Sequence, residues 1–414
     1  MSLCVSGAVR DGEPVSLRCA EGLIAEIGAE VEPAPGDEVI DAAGAPLIPP
    51  ALNGHTHAAM TLFRGYGDDL PLMRWLQEMI WPVEAGLEAD DVYWGTRLAC
   101  VEMIRTGTTR FWDMYWEAEA TARAVRDAGL RATIGAPLID ADGDSAALRE
   151  KAHESLGHLT GFDQRVRPSL APHAIYTVSE DSLRWIAELG AERDVALQIH
   201  LSETEQEVGD CVERHGLRPA HYLDRLGFLG PSTLLAHGVW LDRAELELVA
   251  ERGATVVTNP VANMKLAVGG VFPLPAAQAA GVAIGLGTDG AGSNNSLDLL
   301  SDVKTLALIQ KHAAADPSVL EAAEAWAIAI GARAPLLGAT GLEPGAPADF
   351  LLLRPDSYEL GLGEANAGLV YAASGSVVDT TVVAGRVLMR GGVVPDAAEI
   401  LAEAVARADR LGIG

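Results

Sequence analysis

Between residues 46 and 289 the chain alternates short apolar extended runs with helical stretches, and this alternation narrows the fold more than any other feature. Extended runs are read at 46–53, 109–113, 131–137, 166–170, 195–200, 233–237, 255–259 and 283–289. Helical periodicity occupies 118–128, 146–159, 182–193, 219–225, 243–252 and 273–280. Eight β/α units over roughly 300 residues predict an α/β protein built on a (β/α)8 barrel.

The two ends of the chain read differently. Short strands separated by Gly, Pro and acidic turns are expected at 3–9, 15–19, 23–27 and 39–41, then again at 348–353, 377–384 and 386–390. Strands at both ends can pair into one small sheet domain with the barrel inserted between them. Residues 396–411 read as a terminal helix.

Reactive groups of such barrels sit at the carboxyl ends of the strands. The run at 46–53 leads into Asn53-Gly54-His55-Thr56-His57, where two imidazoles at i and i+2 point to one face. Later strand ends carry His173, His200 with Glu203, His237 and Asp289. Any one of these is as readily a hydrogen-bonded core residue; five strands converging on one face make that reading poor for the set. His153, His158, His215, His221 and His312 fall in helical patterns and read as surface or packing residues.

Imidazoles and a carboxylate, with a position left for water, suit Zn²⁺ or another divalent metal. A bound metal lowers the pKa of its water to about 7. Asp289, in Gly-Leu-Gly-Thr-Asp-Gly, can bind metal and take a proton from the attacking water. Glu203 is placed to deliver a proton to the substrate, and His237 to steady the reacting oxygen. The chemistry these parts support is metal-assisted hydrolysis at an electrophilic carbon.

Composition closes off other classes. The net charge of -28 argues against nucleic acid as a partner, because phosphate backbones need clustered Lys and Arg. No run is long enough to cross a bilayer, and no basic, then apolar, leader opens the chain. Cys4, Cys19, Cys100 and Cys211 form no CxxC pair and read as free thiols. A cytoplasmic protein is expected.

The sequence resembles the amidohydrolase superfamily, and within it the 5'-methylthioadenosine/S-adenosylhomocysteine deaminase group. The matching stretches are NGHTHAAMTLFRGYGDDLPLMRWLQEMIWPVEAGL (53–87), EMIRTGTTRFWDMY (102–115), HLSETEQEV (200–208), NPVANMKL (259–266) and LGTDGAGSNNSLDL (286–299). The resemblance implies a distorted metal-dependent barrel with a small β-sandwich from both chain ends, divided as 1–48, 49–344 and 345–414 with the terminal helix in the last part. It implies one divalent ion per chain held by His55, His57, His200 and Asp289, with Zn²⁺ ahead of Fe²⁺ or Mn²⁺. Glu203 takes the role of proton shuttle, His237 lies near the reactive water, and Glu84 and His173 fall on substrate-contacting positions. A homo-oligomer acting on a small nucleoside is implied too.

Glu84 also has a structural reading, as an acid in the first turn of a helix opened by Trp81-Pro82. Trp75, Trp81 and Trp112 are candidates to wall an aromatic base, though isolated tryptophans are more often core. The sequence departs from the group where members acting on S-adenosylhomocysteine carry two arginines: here stand Ala136 and Leu148, with Arg149 one residue out of register. Thr258 precedes Asn259 where the group often has histidine. The expected activity is deamination of an adenine nucleoside (5'-methylthioadenosine, adenosine or 5'-deoxyadenosine, ahead of S-adenosylhomocysteine) to its inosine analogue and ammonia. Guanine, 8-oxoguanine or pterin deamination and triazine hydrolysis are the rivals on the same scaffold. A barrel without catalysis, serving as an interaction scaffold, is a remoter one.

Overall fold

A computed structural model describes residues 2–141, 143–361 and 363–414. The chain opens as β1 (Ser2–Arg10), β2 (Glu13–Ala20), β3 (Leu23–Gly28) and β4 (Glu38–Asp41), a sheet in the order β3-β2-β1-β4. The next strand, β5 (Leu47–Ile48), stops at Pro49-Pro50. Neither proline can donate to a ladder, so the chain leaves this strand and starts another. The apolar run expected as one strand at 46–53 is thus two, in different sheets.

The barrel follows: β6 (Ala51–Thr56), β7 (Thr108–Met114), β8 (Arg131–Gly135), β9 (Pro137–Leu138), β10 (Val166–Pro172), β11 (Ala196–Leu201), β12 (Thr233–His237), β13 (Thr255–Thr258) and β14 (Ala283–Leu286). Eight of these are parallel neighbours in the order β6-β7-β8-β10-β11-β12-β13-β14, and the two-residue β9 pairs with β10. Parallel strands covered on both faces read as continuous apolar runs, and β12 is buried at every position. Helices such as Ala118–Ala128, Ser145–Leu159 and Glu180–Arg193 cover the outside. Beyond β6 the chain makes short helical turns at Ala58–Phe63, Trp75–Ile80 and Trp81–Glu84, an excursion over the top of the barrel.

Three late strands, β15 (Phe350–Leu353), β16 (Val378–Val383) and β17 (Arg386–Met389), join β5 in the order β17-β16-β15-β5. Strand alternation decides what β15 touches. Phe350 and Leu352 pack with Leu3, Val5, Leu17 and Ile24 between the two end sheets, whereas Leu351 and Leu353 turn to the barrel core. Ion pairs fasten the ends: Arg131 on β8 meets Asp349 at 2.7 Å, and Arg410 of the terminal helix Ala397–Leu411 meets Asp91. The four cysteines are free and buried.

Candidate active site

The site begins at the seam where the first barrel strand meets the last. No ladder joins β14 to β6; the link is made just past β14, where Asp289 N–H donates to His55 O at 3.0 Å. The Asn53 side chain completes it, accepting from Thr288 N–H at 3.1 Å and donating to Thr288 Oγ1 at 2.7 Å. Two glycines allow this approach. A Cβ on Gly54 would lie 2.9 Å from Val257, and one on Gly287 would lie 2.4 Å from Asn259 Oδ1. Past Gly287 the chain leaves the ladder, and Asp289 takes φ 62°, which turns its carboxyl over the barrel mouth. The strand expected at 283–289 therefore ends at Leu286.

Four side chains converge there. His57 Nε2 and His55 Nε2 lie 3.1 and 3.5 Å from Asp289 Oδ1, and His200 Nε2 lies 3.2 Å from His55 Nε2. Each outer ring is held from behind. His57 Nδ1 donates to Met114 O at 2.6 Å and His200 Nδ1 to His173 O at 2.8 Å. A carbonyl can only accept, so both Nδ1 atoms carry the hydrogen, and in the neutral rings both Nε2 atoms keep a lone pair. Asp289 Oδ1 and His55 Nδ1 are buried without a hydrogen-bond partner. Lone pairs and an unpaired carboxylate oxygen facing one point require a cation, and three imidazoles with one carboxylate fit a divalent metal. The ligating atoms of His55, His57 and His200 lie within 4.8 Å of one another, as do those of His55, His237 and Asp289.

Protonation follows the same logic. Burial pulls His55 down to about 4 and His173 to about 3, and takes His200 well below its ordinary value. At His57 burial acts downward too, but the Asp289 carboxylate 3.1 Å away outweighs it and raises the ring to about 9. Without a cation, a proton thus takes the place between His57 and Asp289, and metal binding must displace it.

Glu203 and His237 stand beside this cluster. Ser202, at φ 51°, turns the chain after β11 so that Glu203 returns to the mouth. Its carboxyl is buried, and that burial, with the Asp289 charge behind it, raises its pKa. His237 ends β12 at φ 73°; its Nδ1 meets Asn263 Oδ1 at 2.8 Å, leaving Nε2 3.8 Å from Glu203 Oε2. Above them opens a cleft of ≈ 700 Å³, counted to its mouth, walled by Trp75, Trp81, Trp116, Tyr176, His173 and Glu84 among others. Burial raises the Glu84 carboxyl as well.

Residues 47–388 match the amidohydrolase family. The chain belongs to that family. It is 49% identical over 401 residues to a 5'-deoxyadenosine deaminase of Methanoregula boonei, covering 95% of this chain and 91% of that one. It is 44% identical over 375 residues to 5-methylthioadenosine/S-adenosylhomocysteine deaminase 1 of Archaeoglobus fulgidus, covering 89% and 88%. Among solved structures, a zinc-bound adenosine deaminase from Xanthomonas campestris superposes with a TM-score of 0.92 at 34% identity, over 100% of this chain and 98% of that one.

Within this amidohydrolase-family barrel, His55, His57, His173, His200, Glu203, His237 and Asp289 all meet at one mouth, with Glu84, Trp75 and Trp81 on the cleft wall above. Arg149 does not join them. It is exposed on the helix Ser145–Leu159, its guanidinium 5.1 Å from the centroid of Trp185. Trp112 lies in the barrel interior with Leu52 and Leu234, away from the cleft wall. Several contributors carry no motif of their own: Trp116 and Tyr176 on the wall, Asn263 behind His237, and Ser293, which donates to Asp289 Oδ2 at 2.7 Å. The stretches around Asn263 and Ser293 were visible as family motifs; the individual roles needed the fold.

Proposed function

We propose that this amidohydrolase-family hydrolase deaminates an adenine nucleoside, converting nucleoside and water to the inosine analogue and ammonia. The reading rests above all on Glu203, a buried carboxyl with a raised pKa, standing beside the four-donor cluster on the floor of an aromatic cleft. His55, His57, His200 and Asp289 would hold one divalent ion, Zn²⁺ first and Fe²⁺ or Mn²⁺ as alternatives. When bound, such an ion acidifies a water molecule and polarises the reacting centre.

The remaining work falls to the side chains. Asp289 accepts a proton from the attacking water, its Oδ2 steadied by Ser293. Glu203 delivers its proton to the ring nitrogen next to the carbon under attack, which lets that carbon become tetrahedral. The proton held by Asp289 then passes to the amine, which leaves as ammonia, and the hydroxyl proton of the intermediate returns to Glu203 as the carbonyl forms. His237, fixed by Asn263, presents Nε2 to the reacting oxygen. Trp75, Trp81 and Trp116 enclose the base. Glu84, across the cleft, accepts hydrogen bonds from ribose hydroxyls, so a nucleoside is favoured over a free base. We extend the reading to a homo-oligomer in the cytoplasm.

Ammonia release from adenosine, 5'-deoxyadenosine, 5'-methylthioadenosine, S-adenosylhomocysteine and guanine, with the metal content measured on the same sample, tests this. Turnover of guanine with none of the nucleosides would overturn it.

A further inference from the structure

A second cavity opens at the other end of the barrel. It holds ≈ 790 Å³ of empty space counted to its mouth, and Arg110, Trp112, Thr133, Arg167, Asp194 and Ser232 contribute to its wall. Strand alternation puts it there. Arg110, Trp112 and Met114 are i, i+2 and i+4 on β7; Met114 lines the catalytic cleft, Arg110 the opposite cavity, and Trp112 lies between. Thr133 pairs with Trp112 across β7 and β8, and Arg167 with Thr133 across β8 and β10, so these groups sit on adjoining strands.

Neither arginine has an answering charge. Among the described residues no carboxylate lies within ion-pair distance of Arg110 or Arg167, while Arg18, Arg131 and Arg218 each hold one at 2.7 or 2.8 Å. Asp349, the acid whose field reaches Arg110, is taken by Arg131 through two bonds of 2.7 and 3.1 Å. Burial, with the charges of Arg131 and Arg167 beside it, pushes Arg110 down to about 10, and the residue is half-buried on the cavity wall. A third donor on the same wall is also idle: Trp112 is 2% exposed, and its indole N–H has no hydrogen-bond partner. Asp194 is the one carboxylate on the wall, at an exposed helix end. In a chain with 58 acids to 30 Lys and Arg, half-buried Arg110 and exposed Arg167 at the rim, neither held by a carboxylate, leave two forks on one wall open to an anion.

We propose that this cavity binds a small oxyanion of the phosphate class, received by the guanidinium forks of Arg110 and Arg167. A planar fork matches phosphate oxygens two at a time. The space exceeds a bare phosphate, so the anion is either free phosphate or the phosphate group of a small ester. The site is separate from the cleft and stands whether or not the proposed reaction does.

Calorimetric titration of the full-length, metal-loaded protein with inorganic phosphate and, separately, with ribose 5-phosphate tests it. One saturable site is expected, weakened at least about tenfold by Arg110→Met and by Arg167→Gln. Tighter binding of the sugar phosphate assigns the site to esters; tighter binding of phosphate assigns it to the free ion. Should Arg110→Met fail to fold, Arg167→Gln at the exposed rim decides alone. No saturable heat with either probe overturns the proposal. So does binding that survives the arginine substitutions, since the anion then lies at the metal or elsewhere.

Discussion

The carboxylate of Glu207 accepts the backbone N–H of Glu203 at 2.9 Å. Its second oxygen accepts Ser202 N–H at 2.8 Å, so one side chain clasps both residues of the turn. Glu207 stands at the third position of the helix Glu205–His215, whose N-cap Thr204 accepts Glu207 N–H at 3.1 Å. In an ordinary capping box it would bind the N–H of Thr204 itself. Here it reaches further back, to a turn whose non-glycine φ of 51° is held by its surroundings.

Glu207→Gln puts an amide N–H₂ against one of these backbone donors. It is expected to lower kcat about tenfold or more with KM little changed, and to keep the metal, because a lost buried acceptor costs about 1–3 kcal/mol. Steady-state kinetics beside metal analysis check this. Unchanged kcat in a folded variant would leave Glu207 a helix cap and nothing more.

Glu203→Gln is expected to retain the metal and lose activity by about 10²–10⁴-fold, the usual worth of a positioned proton carrier. His200→Ala should lose metal and activity together. Near-normal turnover of the Gln variant would sink the shuttle role.

The contrast between those two side chains also marks what the sequence made legible. His200 and Glu203 could be picked out because parallel strands announce themselves as apolar runs and barrels gather their chemistry at strand ends. The helices at 118–128, 219–225 and 243–252 agree with the structure at both ends. What stayed hidden depends on contacts between distant segments. Asn263 matters because it stands behind His237, and of the two readings open for Trp112, cleft wall or core, its place on β7 decides for the core. The break at Pro49-Pro50 stayed hidden inside the run 46–53, because the sheet that takes Leu47–Ile48 is set by partners some 300 residues later, Leu351 and Leu352.

One equivalent of metal per chain is expected to support full activity. Chelation should abolish turnover and lower the melting temperature, since the ion offsets the facing lone pairs of His55, His57 and His200. Two-metal relatives carry a bridging lysine at the end of the fourth strand, and Val166–Pro172 contains none. Titrating metal into the stripped protein checks this; a break at two equivalents, with both needed for activity, counts against it.

Neutral nucleosides should be preferred to S-adenosylhomocysteine by about 10- to 150-fold in kcat/KM, the worth of a charge-assisted hydrogen bond. Among the described residues no Arg or Lys walls the cleft, and Arg149→Ala should change nothing. Lys151, its Nζ 3.9 Å from the Trp116 ring centroid, is the cation that would have to swing in. A preference for S-adenosylhomocysteine that disappears in Lys151→Ala would show that it does.

The seam between β6 and β14 gives the site a place in time as well as in space. Asn53 and Thr288, which tie it, are 235 residues apart. A chain still on the ribosome exposes His55 and His57 early and His200 later, but the Asp289 carboxylate is among the last barrel groups to be synthesised. Three imidazoles on an unclosed curl of strands offer an ion neither the negative charge nor the fixed geometry of the finished set. An ion held by all four groups would therefore find its full set of ligands only once synthesis has passed the seam.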